Sequence, residues 1–269
     1  MKTHFAALAF AALLSGPAQA QTAKPAESKP TIVLVHGAFA DSSSWNGVVG
    51  KLTSDGYPVV AAAVPLRSVK GDAGYVSSLV SSISGPVILV GHSYGGSVIS
   101  VAASGNSNVK ALVFVAGFAP ATGESAASLG ARFPTGTLGP TLAPPVPLTD
   151  GNSDLYILQA KYWQQFAADV PEKDAVQMAA AQRPITQSAL GEPATAMAWR
   201  TLPSWFVWGS LDRNIPASLH KFMAQRANGR EAVEVAGASH VVMISHPDVV
   251  AKMIERAAMA SAMPNAKRP

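Results

Sequence analysis

Ten residues constrain this chain more than any others: Val87-Ile88-Leu89-Val90-Gly91-His92-Ser93-Tyr94-Gly95-Gly96. The apolar run after Pro86 reads as a short buried strand. Gly91-His92-Ser93-Tyr94-Gly95 follows with no spacer, and the small, apolar stretch from Gly96 to Ser104 predicts a tightly packed helix. A chain that passes from strand to helix over so few residues must turn sharply, and the flanking glycines leave room where a Cβ would clash. The serine at the tip is then carried above the carboxyl edge of the sheet, beside the unpaired N–H groups that open the helix. Gly-x-Ser-x-Gly arises easily by accident in a chain rich in Gly and Ser. Its placement between strand and helix makes Ser93 a candidate nucleophile.

Similar alternation extends on both sides. Thr31–Val35 is a β-branched apolar strand leading into His36-Gly37-Ala38-Phe39, and Asp41-Ser42-Ser43-Ser44 offers N-caps for a helix to about Thr53. Further strands are expected at 58–63, 109–115, 204–208 and 232–235, with helices at 73–83, 216–227 and from His246 to about Ala260. Strands alternating with helices predict a parallel sheet covered on both faces. Between about residues 120 and 203 the pattern changes. Residues 120–150 are loaded with Pro, Gly, Thr and Ala, and 152–169 and 171–182 read as helical. The expectation is an insertion over the sheet rather than a second domain.

A length of 269 residues with 48% hydrophobic and 13% charged residues suits one large α/β domain, here expected over 31–269. The net charge of +4 is dispersed, so no nucleic-acid footprint is read from it. Absence of cysteine excludes disulfides, thiolate catalysis and thiolate metal sites. Residues 1–20 read as an export signal: Lys2, the apolar run Phe5–Leu14, the breaker Ser15-Gly16-Pro17, and Ala18-Gln19-Ala20 for cleavage. The apolar run is too short to span a bilayer. Residues 21–30 read as a polar flexible tail, and the mature protein is expected in the periplasm or outside the cell.

Ser93, Asp212 and His240 each follow the end of an expected strand, at the edge where ligands gather in such sheets. A serine hydroxyl is a poor nucleophile until an imidazole takes its proton, and a carboxylate must fix that imidazole's tautomer. His36, which precedes Gly37, is expected to bond the loop it starts. His92 should point away from Ser93, and Asp41 serves as a cap. Two N–H groups are also needed for an oxyanion. Tyr94, the residue after the nucleophile, offers one; Ala38 offers the other, with Phe39 in reserve. Phe39, Trp163 and Val241 are the candidates for the substrate pocket.

On these residues the chain resembles the α/β-hydrolases from about Thr31 to Ala260. Val35-His36-Gly37-Ala38, Gly91-His92-Ser93-Tyr94-Gly95-Gly96, Gly209-x-x-Asp212 with Pro216, and Gly237-x-x-His240 carry the resemblance. His36-Gly37-Ala38 followed by Ser43-Ser44-Trp45 is similar to the small-esterase branch that holds plant methyl esterases and hydroxynitrile lyases. The resemblance implies an α/β-hydrolase fold with a mostly parallel six-stranded sheet, and a helical cap inserted after the strand ending near Val115. It also implies cofactor- and metal-free cleavage of a small ester by the Ser93–His240–Asp212 triad. Two positions depart from the lyases, which carry Lys where Val241 stands and Thr where Gly37 stands. Cofactor-free perhydrolases share the triad but resemble one another in a Met where Tyr94 stands. A small-molecule binding protein on the same scaffold is the reading from another class, and the complete triad argues against it. Substrate identity and oligomeric state are not legible at this level.

Overall fold

The structure, a computed structural model, describes residues 29–262. The expected export signal (1–20) and residues 21–28 of the expected tail lie outside the described residues. At the end of that tail, Lys29 sits over the Tyr57 ring at 4.3 Å and donates to the Asp55 carbonyl.

Six strands form one wholly parallel sheet: β1 (Thr31–Val35), β2 (Val59–Ala62), β3 (Val87–His92), β4 (Val109–Val115), β5 (Ser204–Gly209) and β6 (Glu231–Val235). Their spatial order is β2-β1-β3-β4-β5-β6. Central strands β1 and β3 are buried on both faces, which explains their unbroken apolar sequence. Edge strand β6 (EAVEV) alternates half-buried with exposed positions, the period-two pattern of a one-sided strand. The chain leaves β1 toward β2 on one side, returns at β3, and then adds every later strand on the other side. That reversal brings the loops after β1 and β3 together, and ligands bind at such a switch point.

Helices α1 (Asn46–Ser54), α2 (Val69–Ser81) and α3 (Tyr94–Ala102) belong to the first half. Between β4 and β5 lie α4 (Ala126–Arg132), α5 (Gln159–Phe166), α6 (Glu172–Ala181) and α7 (Gln187–Gly191). α8 (Ala217–Arg226), α9 (Val242–Ser245) and α10 (Pro247–Ala262) complete the chain. α1 packs on α10, and α2 on α3. No helix among the described residues is long and apolar enough to cross a membrane.

Two expectations need correction. The helix expected over 73–83 starts four residues earlier, at Val69. Ser68 caps it, and the Glu192 carboxylate accepts from the N–H groups of Val69 (2.6 Å) and Lys70 (3.2 Å). A negative charge at a helix start stabilises it, but this one arrives from far along the chain. The helix expected over 152–169 begins only at Gln159. Ser153–Leu155 is instead the middle strand of a small antiparallel sheet, between Val146–Pro147 and Ile185–Thr186. Arg67 locks that sheet to the loop before α2. Its guanidinium pairs with Asp154 and donates to the Pro184 carbonyl at 2.9 Å, while Thr186 Oγ1 donates to the Arg67 carbonyl at 2.8 Å.

Candidate active site

Ser93 joins β3 to α3 with φ 51° and ψ −123°. A non-glycine residue in that region carries strain of roughly 1–3 kcal/mol and persists only where its surroundings hold it. They do so here. Ser93 N–H donates to the carbonyls of Val115 (3.3 Å) and Ala116 (3.2 Å), and Phe118 N–H donates to Ser93 O (3.0 Å). A Cβ on Gly91 would lie 2.5 Å from Gly95 O, and one on Gly95 would lie 2.5 Å from Val35 O. The turn can close only because both are glycine. Gly37 is held as tightly, since a Cβ there would meet Ser93 Cβ at 2.5 Å.

Asp212 is buried in the loop between β5 and α8. Its Oδ1 accepts from the N–H groups of Asn214 and Ile215, both at 2.9 Å. Its Oδ2 accepts from His240 Nδ1 at 2.7 Å and from His220 Nε2 at 3.1 Å. Burial alone would push this carboxyl upward. The electrostatic attraction of His240 and the hydrogen bonds from both imidazoles outweigh it and hold Asp212 well below the usual carboxylate range. An ionised Asp212 requires His240 to present Nδ1–H, which leaves Nε2 as the basic nitrogen. That nitrogen is buried and has no hydrogen-bond partner among the described residues.

The His240 ring lies 4.8 Å from the His92 ring and 5.1 Å from the edge-on Phe166 ring of α5. His92, expected to point away from Ser93, packs its ring on the His240 imidazole. Its Nε2–H donates to the His240 carbonyl at 3.1 Å and so ties the residue beside Ser93 to the backbone of His240. Burial, with His240 close by, pushes the His92 imidazole well below its ordinary value. His36 Nδ1–H donates to the Gly37 carbonyl at 2.9 Å, and Asp41 caps the turn at Ser42–Trp45.

In the loop after β1, Phe39 adopts φ 59° and its N–H donates to the Arg183 carbonyl at 2.9 Å. The reserve oxyanion donor is therefore already engaged. The N–H of Ala38 has no acceptor among the described residues. Tyr94 opens α3, where first-turn N–H groups lack intrahelical acceptors. Its phenol donates to buried Asp72 at 2.9 Å.

Ser93, Ala38, Phe39 and Tyr94 line one cavity of about 210 Å³. Phe118, Phe133, Leu138, Leu190 and Ile215 add apolar wall, α4 contributes only Ala126, Ala127 and Gly130, and no charged side chain lines it. Of the three pocket candidates only Phe39 is there. Trp163 turns aside to donate to the Val170 carbonyl at 3.0 Å, and the residue one turn later, Phe166, packs on His240. Val241 is fully buried at the start of α9. His220 has no part in the site foreseen from the sequence. A histidine eight residues after Asp212, on the helix that starts at Pro216, was its only signal. Among the described residues no cluster of three or more His, Asp or Glu is arranged to hold a metal ion.

Comparison with known proteins agrees with this architecture. The chain is 28% identical over 252 residues to the alpha/beta hydrolase nvfD of Aspergillus novofumigatus, covering 86% of this chain and 97% of the relative. It is 25% identical over 244 residues to an alpha-hydroxynitrile lyase of Arabidopsis thaliana, covering 82% and 94%. The crystal structure of polyneuridine aldehyde esterase superposes with a TM-score of 0.74 at 16% identity, covering 85% of this chain and 98% of the other. With the family model matched over residues 32–253, strand β1 through α10, the chain belongs to the alpha/beta hydrolase family.

Proposed function

We propose that this protein is an exported serine hydrolase that cleaves neutral, mostly apolar carboxylic esters through an acyl-enzyme. The observation that carries the reading is the Asp212–His240 hydrogen bond of 2.7 Å, which leaves His240 Nε2 basic, buried and unpaired at the edge where Ser93 sits in its strained turn. Ser93 Oγ attacks the ester carbonyl carbon while His240 Nε2 takes its proton. The N–H groups of Ala38 and Tyr94 donate to the oxyanion so formed. Collapse breaks the bond to the alkoxy oxygen, which leaves with the proton from His240. A water molecule, deprotonated by the same nitrogen, then releases the acid. The uncharged cavity wall supports a neutral substrate, because a charged group would be desolvated there without a partner.

Two features favour ester hydrolysis over cyanohydrin cleavage. Val241, where the hydroxynitrile lyases carry Lys, is sealed in the core. The Thr they carry in place of Gly37 would press on Ser93. The order of Lys2, apolar run and Ala18-Gln19-Ala20 supports export.

The test is to screen mature protein against p-nitrophenyl esters and lactones of graded size, then to treat it with a fluorophosphonate. Turnover of neutral short-chain esters and a covalent adduct mapped to Ser93, both absent in Ser93→Ala, are expected. An unlabelled Ser93, or full turnover by the alanine variant, overturns the proposal.

The loop that holds Ala38 is pinned through its neighbour. Phe39 N–H donates to Arg183 O, and Phe39 O accepts from Tyr162 Oη of α5 at 2.8 Å, so the insertion holds both ends of this residue. Tyr162→Phe should lower kcat about five- to ten-fold, the worth of one buried hydrogen bond, with KM nearly unchanged. Steady-state kinetics on the best ester checks this; unchanged kcat would show that the loop holds without the phenol.

A further inference from the structure

Asp212 Oδ2 carries two imidazoles where a triad requires one. The second, His220, lies in α8 just behind Pro216 and is buried. Its ring stacks on Trp208 of β5, with centroids 5.5 Å apart and planes 16° from parallel. Burial outweighs the pull of Asp212 and lowers His220 from its ordinary value. It is thus a neutral donor that presents Nε2–H to the carboxylate. A carboxylate offers about four lone-pair directions. Asn214 N–H, Ile215 N–H, His240 and His220 occupy all of them.

We propose that His220 is a positioning residue for the triad: its second hydrogen bond to Asp212 Oδ2 fixes the carboxylate plane and withdraws electron density that would otherwise all serve His240. Sharing the oxygen weakens it as an acceptor, so His240 releases its proton to the leaving alcohol more readily. This rests on the proposed triad. Few other titratable groups bear on the pair. Glu234 lies beyond Trp208, whose Nε1–H it accepts at 3.3 Å, and is itself paired with Lys221 at 2.9 Å. His92 faces His240 from β3, and His36 lies beyond it.

His220→Phe keeps a ring against Trp208 and removes the donor. His220→Gln restores an N–H near the Nε2 position. Two readouts are taken on mature protein: the pH profile of kcat and kcat/KM on the best ester, and the NMR titration of the His240 ring protons without substrate. For His220→Phe the acid limb of kcat/KM and the NMR midpoint should both move up by about half a pH unit. Its kcat should fall about five- to ten-fold with KM within about two-fold. His220→Gln should recover most of each change. An unmoved acid limb and midpoint in a folded His220→Phe overturns the proposal, as does equal impairment of both variants. Should the phenylalanine variant fail to fold, His220→Leu takes its place in the same comparison. If wild-type protein neither turns over esters nor takes the phosphonate, the functional reading falls by itself. The NMR midpoint still decides whether His220 governs His240.

Discussion

Asp212→Asn will leave a folded protein whose kcat on its best ester is lower by about ten-thousand-fold, or roughly 5.5 kcal/mol of transition-state stabilisation. The substitution changes no volume. What changes is one row of donors and acceptors. Two backbone N–H groups, from Asn214 and Ile215, converge on Oδ1 at 2.9 Å and require an acceptor there. The amide must therefore point its carbonyl at them and its NH2 toward His240 and His220. Both imidazoles already present N–H to that atom, at 2.7 and 3.1 Å. Donor would face donor, and His240 escapes by moving its proton from Nδ1 to Nε2. An imidazole protonated on Nε2 cannot accept the Ser93 proton, so the nucleophile is never made. The fold should tolerate this, because β5 and α8 each carry apolar residues buried in the core, Phe206 and Val207 on one and Leu219 and Met223 on the other. Kinetics beside a thermal melt makes the test. A folded variant within about ten-fold of wild type would show that Asp212 does not govern the tautomer, and the proposed mechanism would fall.

The parts of this molecule that were legible in its sequence are those set by local pattern. β1 and β4 span the residues that their apolar runs marked, and Ser93 sits in the sharp turn that its glycines demanded. The pairing of Asp212 with His240 was foreseeable because both follow strands of one parallel sheet, which brings their loops to one edge. The misses share a cause. The first turn of α2 depends on Glu192, and the strand Ser153–Leu155 depends on Ile185–Thr186 and Arg67. Each is stabilised by a partner remote in sequence, which local periodicity cannot register. The pocket failed for a finer reason. Trp163 and Phe166 are one turn apart on α5, and which of them meets His240 is set by how the helix docks. His220 was hidden because a histidine on a helix carries no mark of what it faces until β5 places Trp208 beneath it.

The same buried imidazoles should make the protein acid-labile. His36, His92 and His220 are each enclosed, and burial lowers each from its ordinary value, His92 furthest. Freed by unfolding, each would titrate near pH 6.5. Below that pH the unfolded chain takes up protons that the folded chain refuses, so stability falls as pH falls. Their contribution is complete above about pH 6.5 and is lost progressively toward the lowered folded-state values. Each refused proton is worth about 1.4 kcal/mol per pH unit, so three give up to about 4 kcal/mol between roughly pH 7.5 and 5.5. Against a total stability of about 5–15 kcal/mol that is a large share. Asp212 adds nothing in this window, because its loss begins only as pH drops below the ordinary carboxylate range. Asp72, raised by burial, works the other way: its buried acid form is favoured as pH falls, which opposes the loss. Urea melts should give a lower stability at the more acidic of the two pH values, and His92→Gln should flatten the dependence by up to one proton. A difference under about 1 kcal/mol would mean that the imidazoles take up protons in the folded state, and that the hydrogen bonds of His92 to the His240 carbonyl and of His220 to Asp212 survive their charging.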